Sequence, residues 1–113
     1  MVILAIDAGT TGVTAMLVDT NGKPIASEYC EFEQHYPQPG WVEHEPEDIW
    51  QAALTSVRNL LAKTSVTPVA IGVTNQRETV VLWDKQTLKS PTSAIVWQDR
   101  RTAELLNEDK FVA

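Results

Sequence analysis

The chain has 113 residues, 43% of them hydrophobic, which is enough for one domain with a core and short for two. Nine Lys+Arg against fifteen Asp+Glu give a formal charge of −6, which opposes nonspecific binding to nucleic acid or anionic lipid; a polyanion such as a nucleotide would have to be met by local donors, for instance backbone N–H groups in a turn. The single Cys30 allows no internal disulfide, and the apolar opening Val2–Ile6 lacks the basic flank and length of a signal or membrane segment, so a cytoplasmic location is expected.

Val2–Ile6 and Val13–Val18 are apolar runs on either side of the turn Asp7-Ala8-Gly9-Thr10-Thr11-Gly12, and Asp19-Thr20-Asn21-Gly22 brings the Asn-Gly pair that hairpins favour. Ile25–Phe32 mixes apolar and polar residues without strict alternation, which predicts an outer strand of an antiparallel meander. Glu33–Glu45 holds Pro37, Pro39, Gly40 and both histidines and shows neither period, so it predicts an irregular loop pinned by Trp41 and Val42. Pro46 suits a first helical position, with Glu47 and Asp48 placed to favour the helix dipole. Ile49, Trp50, Ala53, Leu54, Val57, Leu60 and Leu61 then form an apolar stripe at helical spacing that must pack on a sheet.

After Pro68, Val69–Val73 predicts a strand parallel to the first, with the helix as crossover. Thr79–Trp83 predicts another strand, Asp84-Lys85-Gln86-Thr87 a turn, Ala94–Trp97 a last short strand and Thr102–Leu106 the start of a helix. Three meandering strands, a helix and a strand make an α/β order with a mixed sheet. It is the order of the ribonuclease-H-like fold of actin-like ATPases, one candidate among several on pattern alone.

Two turns carry chemistry. Gly9 and Gly12 are expected to take dihedrals that larger residues avoid and so let N–H groups converge on a phosphate, with hydroxyls from Thr10 and Thr11. Asp7, at the carboxyl end of a buried strand, could hold Mg²⁺ through water. The same residues also suit an ordinary hairpin turn. In Asn75-Gln76-Arg77-Glu78-Thr79, Arg77 offers a fork of donors and Glu78 a pair of acceptors for vicinal hydroxyls if the backbone bends, with Asn75 and Gln76 as braces. A solvated Arg/Glu pair is the plainer reading. Trp97 could give the carbon skeleton of a polyol an apolar wall, although core packing is the ordinary role of each of the four tryptophans. His35 and His44 lack a third ligand and are expected at the surface, Cys30 in packing, and Asp99-Arg100-Arg101 capping or decorating the last helix.

These motifs, with Phe32-Glu33-Gln34, Tyr36-Pro37, Pro39 through His44, Gly72 through Thr79, Ala94 through Gln98 and Arg100-Arg101, make the whole chain resemble the amino-terminal part of the FGGY carbohydrate kinase family, in its glycerol kinase branch. The resemblance implies that Thr10, Thr11 and Gly12 contact ATP phosphates, that Asp7 serves Mg²⁺, and that Arg77, Glu78 and Trp97 bind glycerol. The implied reaction is transfer of the γ-phosphoryl group of ATP to a terminal hydroxyl, giving glycerol 3-phosphate. Gly12-Val13-Thr14 departs from that branch, where small hydroxyl residues and then an arginine follow; this turn is closer to pentulose kinases, which keeps a pentulose as the alternative substrate. Family members are several times longer, with the general base, a further tyrosine of the polyol pocket and the adenine-binding domain beyond Ala113. Residues 1–113 are therefore expected to be the amino-terminal part of the substrate and phosphate-binding domain and inactive alone. A noncatalytic module that self-associates through the surface the remainder would cover is the alternative from another class.

Overall fold

A computed structural model describes residues 1–107. Its strands are β1 (Val2–Ala8), β2 (Gly12–Asp19), β3 (Pro24–Glu31), β4 (Glu43–His44), β5 (Ala70–Asn75) and β6 (Ala94–Ile95), and its helices are α1 (Pro46–Ala62) and α2 (Ala103–Leu106). One sheet has the order β3-β2-β1-β5, and β4 pairs with β6 separately. β1, β2 and β3 form the antiparallel meander, with Val2 opposite Asp19 and Thr14 opposite Tyr29, while β5 lies parallel to β1 with Ile3 opposite Ala70 and Ala8 opposite Asn75. This is the mixed-sheet α/β arrangement of a ribonuclease-H-like, actin-like ATPase domain, as the element order predicts.

The hairpin between β2 and β3 works through Asp19 and Gly22. The Asp19 carboxylate accepts from the N–H groups of Asn21 and Lys23, both at 2.9 Å, and Gly22 turns the chain in the left-handed region at φ 78°. α1 carries the chain from β3 at one edge of the sheet to β5 at the other, lying over β2 and β3. Its buried stripe is Ala52, Ser56 and Leu60, flanked by Ile49, Ala53 and Val57. The small Ala52 lets the helix approach Val13 and Phe32, and Leu60 fills the space against Leu4, Ala15 and Leu17.

The stripe is rotated from the predicted one. Trp50 and Leu61 lie outside it and are exposed, because Ala52 and Ser56 occupy the contact line that the bulkier residues were expected to take. The ordinary core role also fails for Trp83 and Trp97, both at least half exposed, and Trp41 is only partly covered, beneath the Arg101 guanidinium. Cys30 is half-buried at the margin of the Val13–Phe32–Ala52 cluster. Thr79–Trp83 does not form the predicted strand: Val80 alone exchanges backbone bonds with Ile95, at 3.0 and 3.1 Å, because β6 is too short to pair with more. The predicted strand Ala94–Trp97 ends at Ile95, since the turn closed by Asp99 N–H on Val96 O (2.8 Å) begins at Trp97. The segment Glu33–Glu45 is irregular until β4, which the sequence periods gave no sign of.

All of β5 is exposed, although Val69, Ile71 and Val73 stand beside Val2, Leu4 and Ile6 on the α1 side of the sheet. The helix does not extend over them. The radius of gyration is 17.5 Å, against about 13 Å for a compact domain of about 100 residues.

Candidate functional site

Parallel strands end at the same edge of a sheet, so β1 and β5 deliver their following turns to one rim. Gln76 N–H donates to Ala8 O at 3.0 Å, stitching the second turn to the end of β1. The first turn closes on itself through Gly9 N–H to Gly12 O, also 3.0 Å. Neither Gly9 nor Gly12 takes a left-handed φ, which corrects the expectation that special dihedrals explain them. Gly12 answers to space: a Cβ there would lie 2.6 Å from Cys30 O and from the Tyr29 ring and hydroxyl. The site needs glycine because β3 passes so close.

Between the turns runs a closed ring of hydrogen bonds. Gln34 Nε2 donates to Thr10 O at 2.9 Å, and Gln34 Oε1 meets His44 Nε2 at 2.6 Å. His44 Nδ1 meets Gln76 Nε2 at 3.1 Å, and Gln76 Oε1 accepts from the Thr79 hydroxyl at 2.9 Å. Trp97 completes it, its backbone N–H on Thr79 Oγ1 at 3.2 Å and its indole N–H on Thr10 Oγ1 at 3.0 Å. His44 is fully buried, contrary to the surface position expected, with Phe32 edge-on to its ring at 4.8 Å. Burial, followed by the neighbouring His35, holds its pKa below the usual histidine value.

The predicted site residues fall around this ring. Thr10 lies on it, while the Thr11 hydroxyl turns the other way to bond Tyr29 Oη at 2.9 Å. Arg77 and Glu78 are exposed beside it, and neither enters an ion pair among the described residues. Glu78 provides the bend their use requires: its φ is 64°, a left-handed conformation that costs a non-glycine residue about 1–2 kcal/mol. Trp97 is half exposed beside Thr10 and Thr79, with an apolar face open to solvent.

Asp7 lies on the sheet face opposite α1, in a recess of about 410 Å³ lined by Ala5, Thr14, Met16, Gly72 and Thr74 among others. No described group of three or more acidic, His or Cys side chains is arranged for a metal. One carboxylate among hydroxyls suits Mg²⁺, which keeps most of its waters and takes one or two carboxylates beside substrate phosphates. A larger recess of about 880 Å³, lined by Trp50, Trp83 and Leu88 among others, contains none of the predicted site residues.

Asp99 and Arg101 do not cap α2. Arg101 is bonded to both oxygens of Asp99 and to Glu43, and lies 3.8 Å over the Trp41 ring. Asp99 in turn accepts from Val42 N–H at 2.7 Å, so the cluster ties the irregular loop to the segment after β6. The Arg101 hydrogen bonds hold the Asp99 carboxyl at about 2.

The chain matches the FGGY family of carbohydrate kinases, N-terminal domain, over residues 2–110. It is 50% identical over 111 residues to a glycerol kinase of Rhizobium meliloti (strain 1021), covering 96% of this chain and 22% of that one. A glycerol kinase of Desulfitobacterium hafniense (strain DSM 10664 / DCB-2) is 51% identical over 112 residues, with 96% and 23% covered. The fold is similar to the crystal structure of Plasmodium falciparum glycerol kinase with ADP, with a TM-score of 0.79, 38% identity and coverage of 93% of this chain and 22% of that one. Xylulose kinase from Rhodospirillum rubrum gives a TM-score of 0.83 at 28% identity, over 93% and 23%. The chain thus spans between a fifth and a quarter of the length of the curated relatives it matches.

Proposed function

Since the chain belongs to the FGGY family of carbohydrate kinases, we propose that its cleft is the polyol and phosphate half of a glycerol kinase site. The observation that carries this reading is that Thr10, Trp97 and the turn bearing Arg77 and Glu78 meet at one sheet edge. The roughly 50% identity to glycerol kinases favours glycerol over a pentulose.

In this reading the Arg77 guanidinium donates to adjacent hydroxyl oxygens, and the Glu78 carboxylate accepts from the hydroxyl hydrogens. Trp97 covers the carbon skeleton. Thr10, Thr11 and Gly12 form the turn offered to the phosphates of ATP, the Thr11 hydroxyl being held by Tyr29, and Asp7 holds the waters of Mg²⁺. Bound MgATP supplies the phosphoryl group and neutralises charge as it transfers to the terminal oxygen. The chain's own contribution is orientation: fixing a hydroxyl in line with a phosphorus atom removes much of the barrier without covalent participation by a side chain. Residues 1–113 act as the amino-terminal part of the substrate and phosphate-binding domain. Proton removal from the hydroxyl and enclosure of the base fall to parts of the longer relatives outside this match, so the chain alone does not turn over.

Titration of the ¹⁵N-labelled chain with glycerol in the presence of MgADP tests the binding role. The Arg77 and Glu78 amides and the Trp97 indole should shift together, and xylulose should shift them less. Shifts confined to other residues, or none up to molar glycerol, would reject the reading. Formation of glycerol 3-phosphate from glycerol and MgATP at an enzymatic rate would reject the inactivity.

A second reading, association of two copies, is favoured by the uncovered Val69, Ile71 and Val73. A monodisperse monomer in sedimentation at high concentration would dismiss it.

A further inference from the structure

We propose that His44, as the neutral Nε2–H tautomer, is the positioning residue of the cleft, fixing the Thr10 turn against the turn that carries Arg77 and Glu78. Its purpose rests on the kinase reading. Its geometry does not.

The proton positions follow from groups that can only accept. Gln34 Nε2 lies 2.9 Å from Thr10 O and 3.4 Å from Phe32 O, and a carbonyl oxygen cannot donate, so this end of the amide is the NH₂. Gln34 Oε1 is therefore the acceptor, and His44 Nε2 must carry the hydrogen between them. On the other side Gln76 Nε2 lies 3.4 Å from Gly9 O, which again requires an NH₂ there. That amide donates to His44 Nδ1, which must be bare. Gln76 Oε1 then accepts the Thr79 hydroxyl hydrogen, leaving the Thr79 oxygen to accept from Trp97 N–H. Every N–H donor in the ring and the Thr79 hydroxyl meet an acceptor, and only one imidazole tautomer allows it.

A second proton on His44 would break this order. It would point at the Gln76 NH₂, and turning that amide to accept it would press Oε1 against Gly9 O and take away the acceptor of Thr79. The direct side-chain tie of Gln76 to the first turn, its bond to Gly9 O, would go, and with it the bond to Thr79. The titratable group facing His44 is His35, from the loop before β4. Its neighbours in the chain, Glu43 and Glu45, are held by Arg101 and by the Ser93 hydroxyl, and β6 opposes it with Ala94. Among the described residues no carboxylate accepts a hydrogen bond from the imidazole to favour a cation.

The test uses the full chain without substrate, so a failure of glycerol or nucleotide to bind leaves its outcome unaffected. Imidazole ¹⁵N spectra should show a neutral His44 protonated at Nε2 at neutral pH; an Nδ1–H tautomer or an imidazolium there overturns the proposal. His44→Phe keeps an aromatic ring without either polar contact, His44→Gln can keep the donor to Gln34, and His44→Asn can keep the acceptor for Gln76. Exchange of the Trp97 indole N–H should accelerate at least tenfold in a folded His44→Phe chain and by less in the amide variants. Unchanged protection there overturns the proposal. If His44→Phe does not fold, acid titration of the native chain decides the matter: Trp97 protection must fall in step with protonation of His44, and loss at a different pH overturns it. The kinase reading fails separately, if the native chain shows this ring but ignores glycerol.

Discussion

Replacing Gly12 with alanine separates two explanations of the first turn. If glycine were there for its dihedrals, alanine would strain the backbone; its φ is not left-handed, so the cost must come from space. The added methyl would sit 2.6 Å from Cys30 O, Tyr29 Cζ and Tyr29 Oη, and ordinary contact begins at 3.4 Å. Tyr29 is half exposed and can swing aside, with loss of its 2.9 Å bond to Thr11. Cys30 O cannot do so, because it belongs to the backbone of β3 and Cys30 is registered opposite Val13 in β2. Overpacking of this kind costs about 1–3 kcal/mol, offset by about 0.4–1 kcal/mol because alanine restricts the unfolded chain. A net loss of about 1–2 kcal/mol follows, and Tm should fall by roughly 4 °C or more per kcal/mol in a domain of this size. Urea and thermal unfolding followed by circular dichroism measure it. Gly9→Ala is the control, since its methyl meets Gly12 O at 3.3 Å and Asp7 Oδ1 at 4.0 Å and should cost less. In Gly12→Ala with Tyr29→Ala the ring clash is gone, so the remaining loss reports the β3 backbone. Stability of Gly12→Ala within about 0.3 kcal/mol of the native chain would refute the steric account.

The Asp99 carboxyl, at about 2 against 3.8 unfolded, favours the folded state above pH 3.8, and this contribution is lost as pH falls toward 2. Asp99→Asn should therefore flatten the acid limb of the stability curve, and an unchanged limb would deny the role of the Arg101 cluster. His44 has the opposite chemistry and the same sign: its folded pKa is depressed, so below pH 6.5 the unfolded chain takes up the proton first and stability falls with pH toward the folded value. His44→Phe should remove that slope. Glu78→Gly relieves a left-handed φ of 64° while freeing the unfolded chain, so stability should stay within about 1 kcal/mol of the native value while glycerol-induced NMR shifts disappear. A larger loss would mean that the Glu78 side chain supports the fold.

The meander and the parallel return strand are legible in the sequence because each rests on a local signal: an apolar run, an Asn-Gly turn, or a proline at the first helical position. Pairing then leaves little choice, since a helix is the usual crossover between parallel neighbours. What could not be read is how an element faces its partners. Periodicity places Trp50 and Ala53 on one side of α1, but which line touches the sheet depends on the close approach that Ala52 and Ser56 permit over Val13 and Ala15. Val80 to Trp83 has the composition of a strand and lacks only a partner long enough to pair with.

The candidate site divides along the same line. That the turns after β1 and β5 share a rim follows from parallel direction alone, and the sequence gives that direction. The ring joining them does not follow, because Gln34 and His44 come from an irregular loop far along the chain from Asn75–Thr79 and Trp97, and each looks like an ordinary loop residue in isolation. The nearest available signal was the weight of amide and imidazole groups inside otherwise irregular segments. A buried polar group costs more unpaired than it returns when paired, so a fully satisfied ring contributes less to stability than to the choice of a single arrangement. Thr10 and Glu78 are thus set relative to each other by groups that need touch neither phosphate nor hydroxyl, and this is the property a phosphoryl-transfer cleft requires, because its rate depends on alignment to within fractions of an ångström.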